Sequence, residues 1–294
     1  MKFRFDDQTE ALLEGAIDFH IHPTPDVYPR LLNDVELAIS AKENGMRAIL
    51  IKNHYFETAS RATIASEVAE FDVFGGIALN LTNGGLNKHA VRMALKMGAK
   101  QVWMPTVHAR HFVQNKSHVA NLATEIGSDV EGIFLLNEDG SLKEELYPIF
   151  DEIIAFDAIL ATGHITKEEA KVLVKEAADH GVKKIMITHP AATFVNYSTD
   201  DMKEILDLGG SYLEHTWNDV TRQVSHPLEI KALVEVIKTM GASNNILSTD
   251  AGQWLNPPAP QQMGIYIKEM LKAGISEQDV RTMVADNPAK MLGI

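Results

Sequence analysis

The chain has 294 residues, with 40 acidic and 27 basic side chains and a formal charge of −13. That length suits one large α/β barrel or two ordinary domains, and the acidic balance excludes nucleic acid and anionic membrane surfaces as partners, because both need a basic footprint. Cysteine is absent, which excludes disulfides, a thiol nucleophile and a thiolate metal site; any metal must rest on His, Asp or Glu, and the chain has 12 histidines.

The first residues, Met1-Lys2-Phe3-Arg4-Phe5-Asp6-Asp7, carry no apolar h-region. No stretch reaches the roughly 18 apolar residues of a membrane span. Neither a secretory signal nor a span is expected, and the cytoplasm is the default location. From there short apolar runs alternate with helical patterns. Strands are expected at 16–21, 48–51, 73–79, 102–105, 158–161, 185–187, 212–213 and 246–247, each rich in Ile, Val, Leu or aromatics, as strands buried on both faces are. Helices are expected at 34–44, 58–70, 87–97, 143–155, 166–180, 198–208 and 227–240, with 259–273 as the eighth and 276–285 as an extra one.

The punctuation recurs. Asn44-Gly45, Met97-Gly98, His180-Gly181, Leu208-Gly209 and Met240-Gly241 each close a helix a few residues before a strand, as a left-handed glycine at C′ does. Thr166 with Glu169 reads as a capping box, and residues 132–142 as a small hairpin around Asp139-Gly140. Nothing resembles an interdomain linker. Residues 1–294 are therefore expected to form a single (β/α)₈ TIM-barrel domain with an extra C-terminal helix. A doubly wound sheet is the runner-up, weakened by the lack of Gly-x-Gly-x-x-Gly after the first strand.

A barrel's active site lies at the C-terminal ends of its strands, and here every such end is polar. The eight ends carry His20-Ile21-His22, Lys52-Asn53-His54, Asn80, Thr106 with His108, Gly163-His164, Thr188-His189, Glu214-His215 and Ser248-Thr249-Asp250. Residues i and i+2 of a strand share a face, so His20 and His22 converge on one ion, with Asp18 one step deeper to orient a ligand. Closure makes the eighth strand neighbour the first and brings Asp250 beside that pair; His164 and His189 reach from the far wall. Imidazoles plus one carboxylate form a catalytic divalent-metal set. The other histidines are weaker candidates: His89, His180 and His226 lie on or beside helices, His111 and His118 in the loop after the fourth strand, and His54, His108 and His215 at strand ends.

These residues resemble the amidohydrolase superfamily, metal-dependent hydrolases on a (β/α)₈ barrel. The matching motifs are Asp18-Phe19-His20-Ile21-His22, His164, His189, Ser248-Thr249-Asp250 and the closing Asn287-Pro288-Ala289-Lys290-Met291-Leu292-Gly293. His22-Pro23 and Thr249-Asp250-Ala251-Gly252-Gln253 make the chain similar to an uncharacterised amidohydrolase-like subgroup. The resemblance implies metal ligation by His20, His22 and Asp250, with His164 and His189 on a second ion or on substrate. It implies that Asp250 also takes a proton from the attacking water. The strand-four Lys or Glu that bridges two ions in binuclear members has no counterpart in Trp103-Met104-Pro105-Thr106. One ion is therefore favoured, with zinc first among metals that N/O ligands do not distinguish.

The resulting expectation is metal-assisted hydrolysis of an amide, lactone or ester carbonyl of a small molecule. Asp250 serves as proton acceptor, His189 as oxyanion stabiliser, and Lys52 as a clamp for a substrate anion. His54, Asn80, His108, His215 and Trp254 are further substrate-binding candidates beside Lys52. The alternatives are a mononuclear non-oxidative decarboxylase of the same superfamily, in which Lys52 holds the acid, and a non-catalytic metal-binding barrel. Loops 82–87, 110–121, 193–199 and 217–225 set the substrate, and the oligomeric state is not legible.

Overall fold

The computed structural model describes residues 2–115, 130–222, 224 and 226–294. His118 and the later part of the loop after the fourth expected strand fall outside that range. Among the described residues are nine strands: β1 (Ile17–Ile21), β2 (Ala48–Ile51), β3 (Asp72–Phe74), β4 (Gly76–Ala78), β5 (Gln101–Trp103), β6 (Ile159–Ala161), β7 (Ile185–Thr188), β8 (Tyr212–Thr216) and β9 (Asn245–Ser248). The third expected strand is split at Gly75 into β3 and β4, so the eighth expected strand is β9. Every laddered pair is parallel, in the orders β1-β2-β3 and β4-β5-β6-β7-β8-β9.

This is the strand order of a (β/α)₈ barrel whose ladder is open at two seams. One lies at Gly75. At the other, β1 and β9 share no ladder and meet beyond their ends through an Ile21–Ala251 bridge and the bond from His22 N to Ala251 O, 2.8 Å. Between strands run the helices α2 (Asp34–Glu43), α3 (Ala59–Ala69), α4 (Lys88–Lys96), α6 (Tyr147–Ala155), α7 (Lys167–His180), α8 (Thr199–Asp207), α9 (Ile230–Met240) and α10 (Ala259–Lys272). Short α5 (Arg110–Gln114) opens the long loop after β5, and α11 (Glu277–Arg281) and α12 (Asn287–Leu292) close the chain.

Local chemistry accounts for these boundaries. Capping boxes start α2 (Asn33 with Glu36), α7 (Thr166 with Glu169, as expected) and α8 (Ser198 with Asp201). The glycines expected to end helices, Gly45, Gly98, Gly181, Gly209 and Gly241, all have positive φ. The turn at Asp139-Gly140 is flanked by an antiparallel Leu136–Leu142 bridge. Three helices lie outside the expected ones: α5, α12 and α1 (Asp7–Leu13), the last capped by Asp6 and packed on α10 and α11. Among the described residues, no helix is long and apolar enough to cross a membrane.

The core separates into an inner cluster and two outer ones. The inner cluster takes side chains from strands all round the barrel, including Ile17, Phe19, Leu50, Ala78, Trp103, Ala161, Met186, Tyr212 and Ile246, and is joined by Met291 and Leu292 of α12. The outer two lie between strands and helices. An apolar plug thus fills the interior and leaves the C-terminal mouth to polar groups.

At the β1–β9 seam Gly252 has φ +138, and a Cβ there would lie 2.0 Å from the His22 carbonyl oxygen. Gly98 also has positive φ, but a Cβ there meets nothing within 4 Å. In urea titrations we expect Gly252→Ala to cost about 2–4 kcal/mol and Gly98→Ala no more than about 1 kcal/mol. Equal losses would show that the close approach at the seam does not matter.

Candidate metal centre

The strands deliver the candidate side chains to one mouth. His20 is the next-to-last residue of β1 and His22 follows the strand, Lys52 follows β2, His164 lies three residues past β6, His189 follows β7, Glu214 lies within β8, and Asp250 lies two residues past β9. β1 achieves this with an irregularity. Its pairing with β2 shifts register between Asp18 and Ile21, so Phe19 joins the inner apolar cluster while His20 and His22 both reach the mouth. Asp18 does not lie under the histidine pair as simple alternation predicts; it bonds Thr249 across the seam. The turn before His164 admits glycine: a Cβ on Gly163, at φ +65, would lie 2.4 Å from Met104 O. His189 and Asp250 themselves have φ of 53° and 52°. A non-glycine residue there costs roughly 1–3 kcal/mol and persists where the surroundings over-determine it, most often at functional sites.

His20, His189 and Asp250 each offer a ligand atom within 4.8 Å of the others. Asp250 Oδ1 lies 3.1 Å from His22 Nε2 and 3.5 Å from His20 Nε2, and its Oδ2 accepts from Asn218 Nδ2 at 3.2 Å. The His164 ring stands 5.5 Å from that of His189, edge-on, between the rings of Phe112 and Phe194. The five residues expected as metal ligands therefore share one cluster, with three of them tightest. Asp250 is its most open member, at 15% side-chain exposure against 1–2% for His20, His22 and His189.

Burial pushes the pKa values of His20, His22 and His164 well below the ordinary histidine value, so their rings are neutral and free to ligate. For His189 burial also acts downward, but the charge and hydrogen bond of Asp219, joined by Asp250, outweigh it and raise the pKa. His189 Nδ1 lies 3.1 Å from Asp219 Oδ2, which directs Nε2 toward Asp250. Glu214 Oε1 lies 3.4 Å from His20 Nδ1, and burial raises the Glu214 pKa.

These residues suit a divalent cation. Both His164 nitrogens and both Glu214 oxygens are buried with no hydrogen-bond partner, a costly state unless something else engages them. The donor set of neutral imidazoles and carboxylate is one that holds such ions. One contact competes: Lys52 Nζ lies 3.0 Å from His20 Nε2, so a cation on that nitrogen takes the lone pair the lysine now uses.

Several substrate-binding candidates are placed otherwise than expected. Lys52, expected as a clamp for a substrate anion, is fully buried against His20, 5.3 Å over the Trp103 ring. Burial brings its pKa down to about 8. Asn80 faces no open space: its amide donates to His54 O and Thr106 Oγ1, and its Oδ1 accepts from Thr106 N and His108 N. It braces two loops. His215 follows Glu214 on β8 and so takes the opposite face; its Nε2 pairs with Asn245 Oδ1 at 2.9 Å. Trp254 is 57% exposed on the loop after β9, and Trp217 packs on Tyr266. His54 does reach the cluster, stacked at 4.8 Å on His22, and His108 stands edge-on to Tyr55. A cavity of 420 Å³ lies beyond Phe194, lined also by His111, Asn115, Thr166 and Lys167.

Sequence reasoning named the loop 217–225 without singling out Asp219 or Asn218, and at the end of β8 it preferred His215 to Glu214. Strand alternation was the one signal that bore on the last choice; it shows that two neighbours cannot both face inward, but not which one does.

A family model described as "Family of unknown function (DUF6282)" matches residues 15–214. No curated protein matches the chain in sequence. Among solved structures it is similar to an amidohydrolase from Pseudomonas aeruginosa, at 15% identity and TM-score 0.61, over 97% of this chain and 98% of that one. It is also similar to a probable 2-pyrone-4,6-dicarboxylic acid hydrolase from Acinetobacter baumannii, at 12% identity and TM-score 0.58, over 95% and 100% of the two chains. An organophosphorus hydrolase from Deinococcus radiodurans gives 12% identity and TM-score 0.58, over 96% and 94%. At these identities the shared property is the amidohydrolase-type barrel fold.

Orientation of His189 by Asp219 has a measurable consequence. Asp219→Asn is expected to weaken Zn²⁺ binding about 10–100-fold in competition with a chelating dye, with the far-UV CD spectrum unchanged. Unaltered affinity would show that this pair does not serve an ion.

Proposed function

The chain belongs to that family of unknown function, DUF6282, and on this premise we propose that it is a metal-dependent hydrolase acting on an amide, lactone or ester carbonyl of a small molecule. One observation carries the reading: neutral, buried imidazoles with unpartnered nitrogens converge on a partly open aspartate at the C-terminal mouth of an amidohydrolase-type barrel. That face is where such barrels place their chemistry.

His20, His22, His164, His189 and Asp250 would hold the ion, zinc by preference and one rather than two. No acidic residue or lysine follows β5, where Met104-Pro105-Thr106 stands. A bound divalent cation supplies Lewis acidity and brings the pKa of a coordinated water to about 7.

The chain's own groups do the rest. Asp250 is the proton acceptor: Asn218 holds its Oδ2, and its exposure leaves the carboxylate within reach of water. The same carboxylate returns the proton to the leaving group. His189 has Nδ1 on Asp219 and would give its remaining nitrogen, Nε2, to the ion, so Asp219 orients a ligand and the oxyanion contact expected of His189 is not available to it. Phe112 and Phe194 flank His164 and His189 and keep bulk water from that side. Lys52 favoured the decarboxylase alternative as long as it was read as an acid clamp; its burial against His20 removes that support.

Elemental analysis of the purified protein is expected to give one equivalent of metal. Two equivalents would require a bridge, and none would overturn the proposal. On a panel of lactones, esters and amides, Asp250→Asn should lower turnover by a factor of about 10²–10⁴, the range for a lost general base, while retaining much of the metal. Full activity in that variant would remove Asp250 from the proton path.

A further inference from the structure

The segment from His22 to Asn33 is clamped to the loop that carries Asp250. His22 N bonds Ala251 O at 2.8 Å, Leu31 N bonds Gly252 O at 2.8 Å, and Arg30 makes an antiparallel bridge with Gln253. Gln253 Nε2 in turn donates to Asp250 O at 3.0 Å. Arg30 is thereby fixed to the loop that carries the candidate proton acceptor.

Its side chain is 5% exposed, and Nε donates to Asp26 Oδ2 at 2.7 Å. Among the described residues, its two terminal nitrogens have no hydrogen-bond partner. The contrast with Arg61 nearby is informative. Arg61 spends Nε and one terminal nitrogen on both oxygens of Asp34, and donates to Pro25 O and Pro23 O as well. Arg61 is a structural brace with its fork filled, whereas the Arg30 fork is open. The Arg30 terminal nitrogens are not sealed from solvent, so among the described residues the four N–H groups of an otherwise buried guanidinium are open to an incoming anion.

The Arg30 charge is directed at the cluster. After burial it is the largest influence lowering the His22 pKa, and it also acts on His20, Lys52 and His54. Lys52, the other cation there, is engaged by His20. The guanidinium carbon lies 5.9 Å over the Tyr28 ring, and the Tyr28 hydroxyl is 3.1 Å from that of Tyr55.

We propose that Arg30 is the substrate-anchoring residue: its two terminal nitrogens take the carboxylate of a carboxylate-bearing substrate, whose scissile carbonyl then lies over Asp250. The planar fork matches a carboxylate bidentately. A single open cation with Asp26 behind it suits a monoanion, and the Tyr28–Tyr55 wall suits a flat body attached to it. The inference rests on the hydrolase reading for what is anchored, but the anion site is testable by itself.

The test uses benzoate and its neutral isostere benzamide as probes, titrated calorimetrically into the protein as purified. Benzoate is expected to bind at least about tenfold tighter than benzamide, a difference that Arg30→Gln erases while benzamide binding is unchanged. Asp26→Asn separates anchoring from bracing: it frees the guanidinium and should tighten benzoate binding severalfold. If Asp26→Asn weakens benzoate as Arg30→Gln does, or if Arg30→Gln stays within twofold of the parent, Arg30 only braces the loop and the proposal fails. Should Arg30→Gln not fold, the parent and Asp26→Asn still decide it. Metal content measured on the same samples answers the other question: metal-free protein that still prefers benzoate would sink the hydrolase reading and leave the anion site standing.

Discussion

Asp18 lies fully buried in the seam between β1 and β9, where no ladder joins the strands. Its carboxylate accepts from Thr249 Oγ1 at 2.5 Å, Thr249 N at 3.0 Å and His20 N at 3.2 Å. One carboxyl group thus holds the backbone of a candidate ligand on the first strand and the residue just before Asp250 on the last. Burial raises its pKa to about 7, with the Thr249 bonds opposing the rise. Apart from this stitch, the backbone links between the first and last strands among the described residues are the Ile21–Ala251 bridge and the loop contacts beyond it. Without the stitch, the spacing of His20 and Asp250 would be set by loops.

The barrel divides its energetics along its axis. The lower interior is apolar and sealed by Met291 and Leu292 of α12, and the helical shell adds two more apolar clusters. The mouth collects what a stable core avoids: neutral histidines with unpartnered nitrogens, a buried glutamate, a buried lysine and two non-glycine residues at positive φ. Such groups persist when packing elsewhere offsets their cost. Glu70, Asp157 and Asn196 also have positive φ and Gln101 is also buried without partners, but the histidines, the glutamate and the lysine gather at one end and mark it as a site.

Much of this was legible in the sequence. The strand ends carrying His20, His22, His164, His189 and Asp250 could be read because apolar runs and helix-closing glycines are local signals, and a barrel turns position along a strand into position in space. Other assignments failed for physical reasons. Asn80 looked like a binding residue, yet its amide and carbonyl are consumed in joining the loops after β2 and β5. His215 and Glu214 are adjacent, and only the inward face reaches the cluster. Lys52 ends its strand where expected, but folds onto His20 instead of outward.

By itself the sequence determined the order of strands and helices, the end of the barrel where polar chemistry collects, and the lack of any thiol ligand. Those follow from hydrophobic period, turn residues and composition, which act over a few neighbours. Tertiary structure alone decided that Asp219 backs His189, that Glu214 faces His20, that Asp18 bonds Thr249, and that Arg30 keeps an open fork while Arg61 does not. Each of these joins groups from separate elements or depends on whether such a partner exists, and a hydrogen bond or ion pair forms through space over about 3 Å, a distance that sequence separation does not encode.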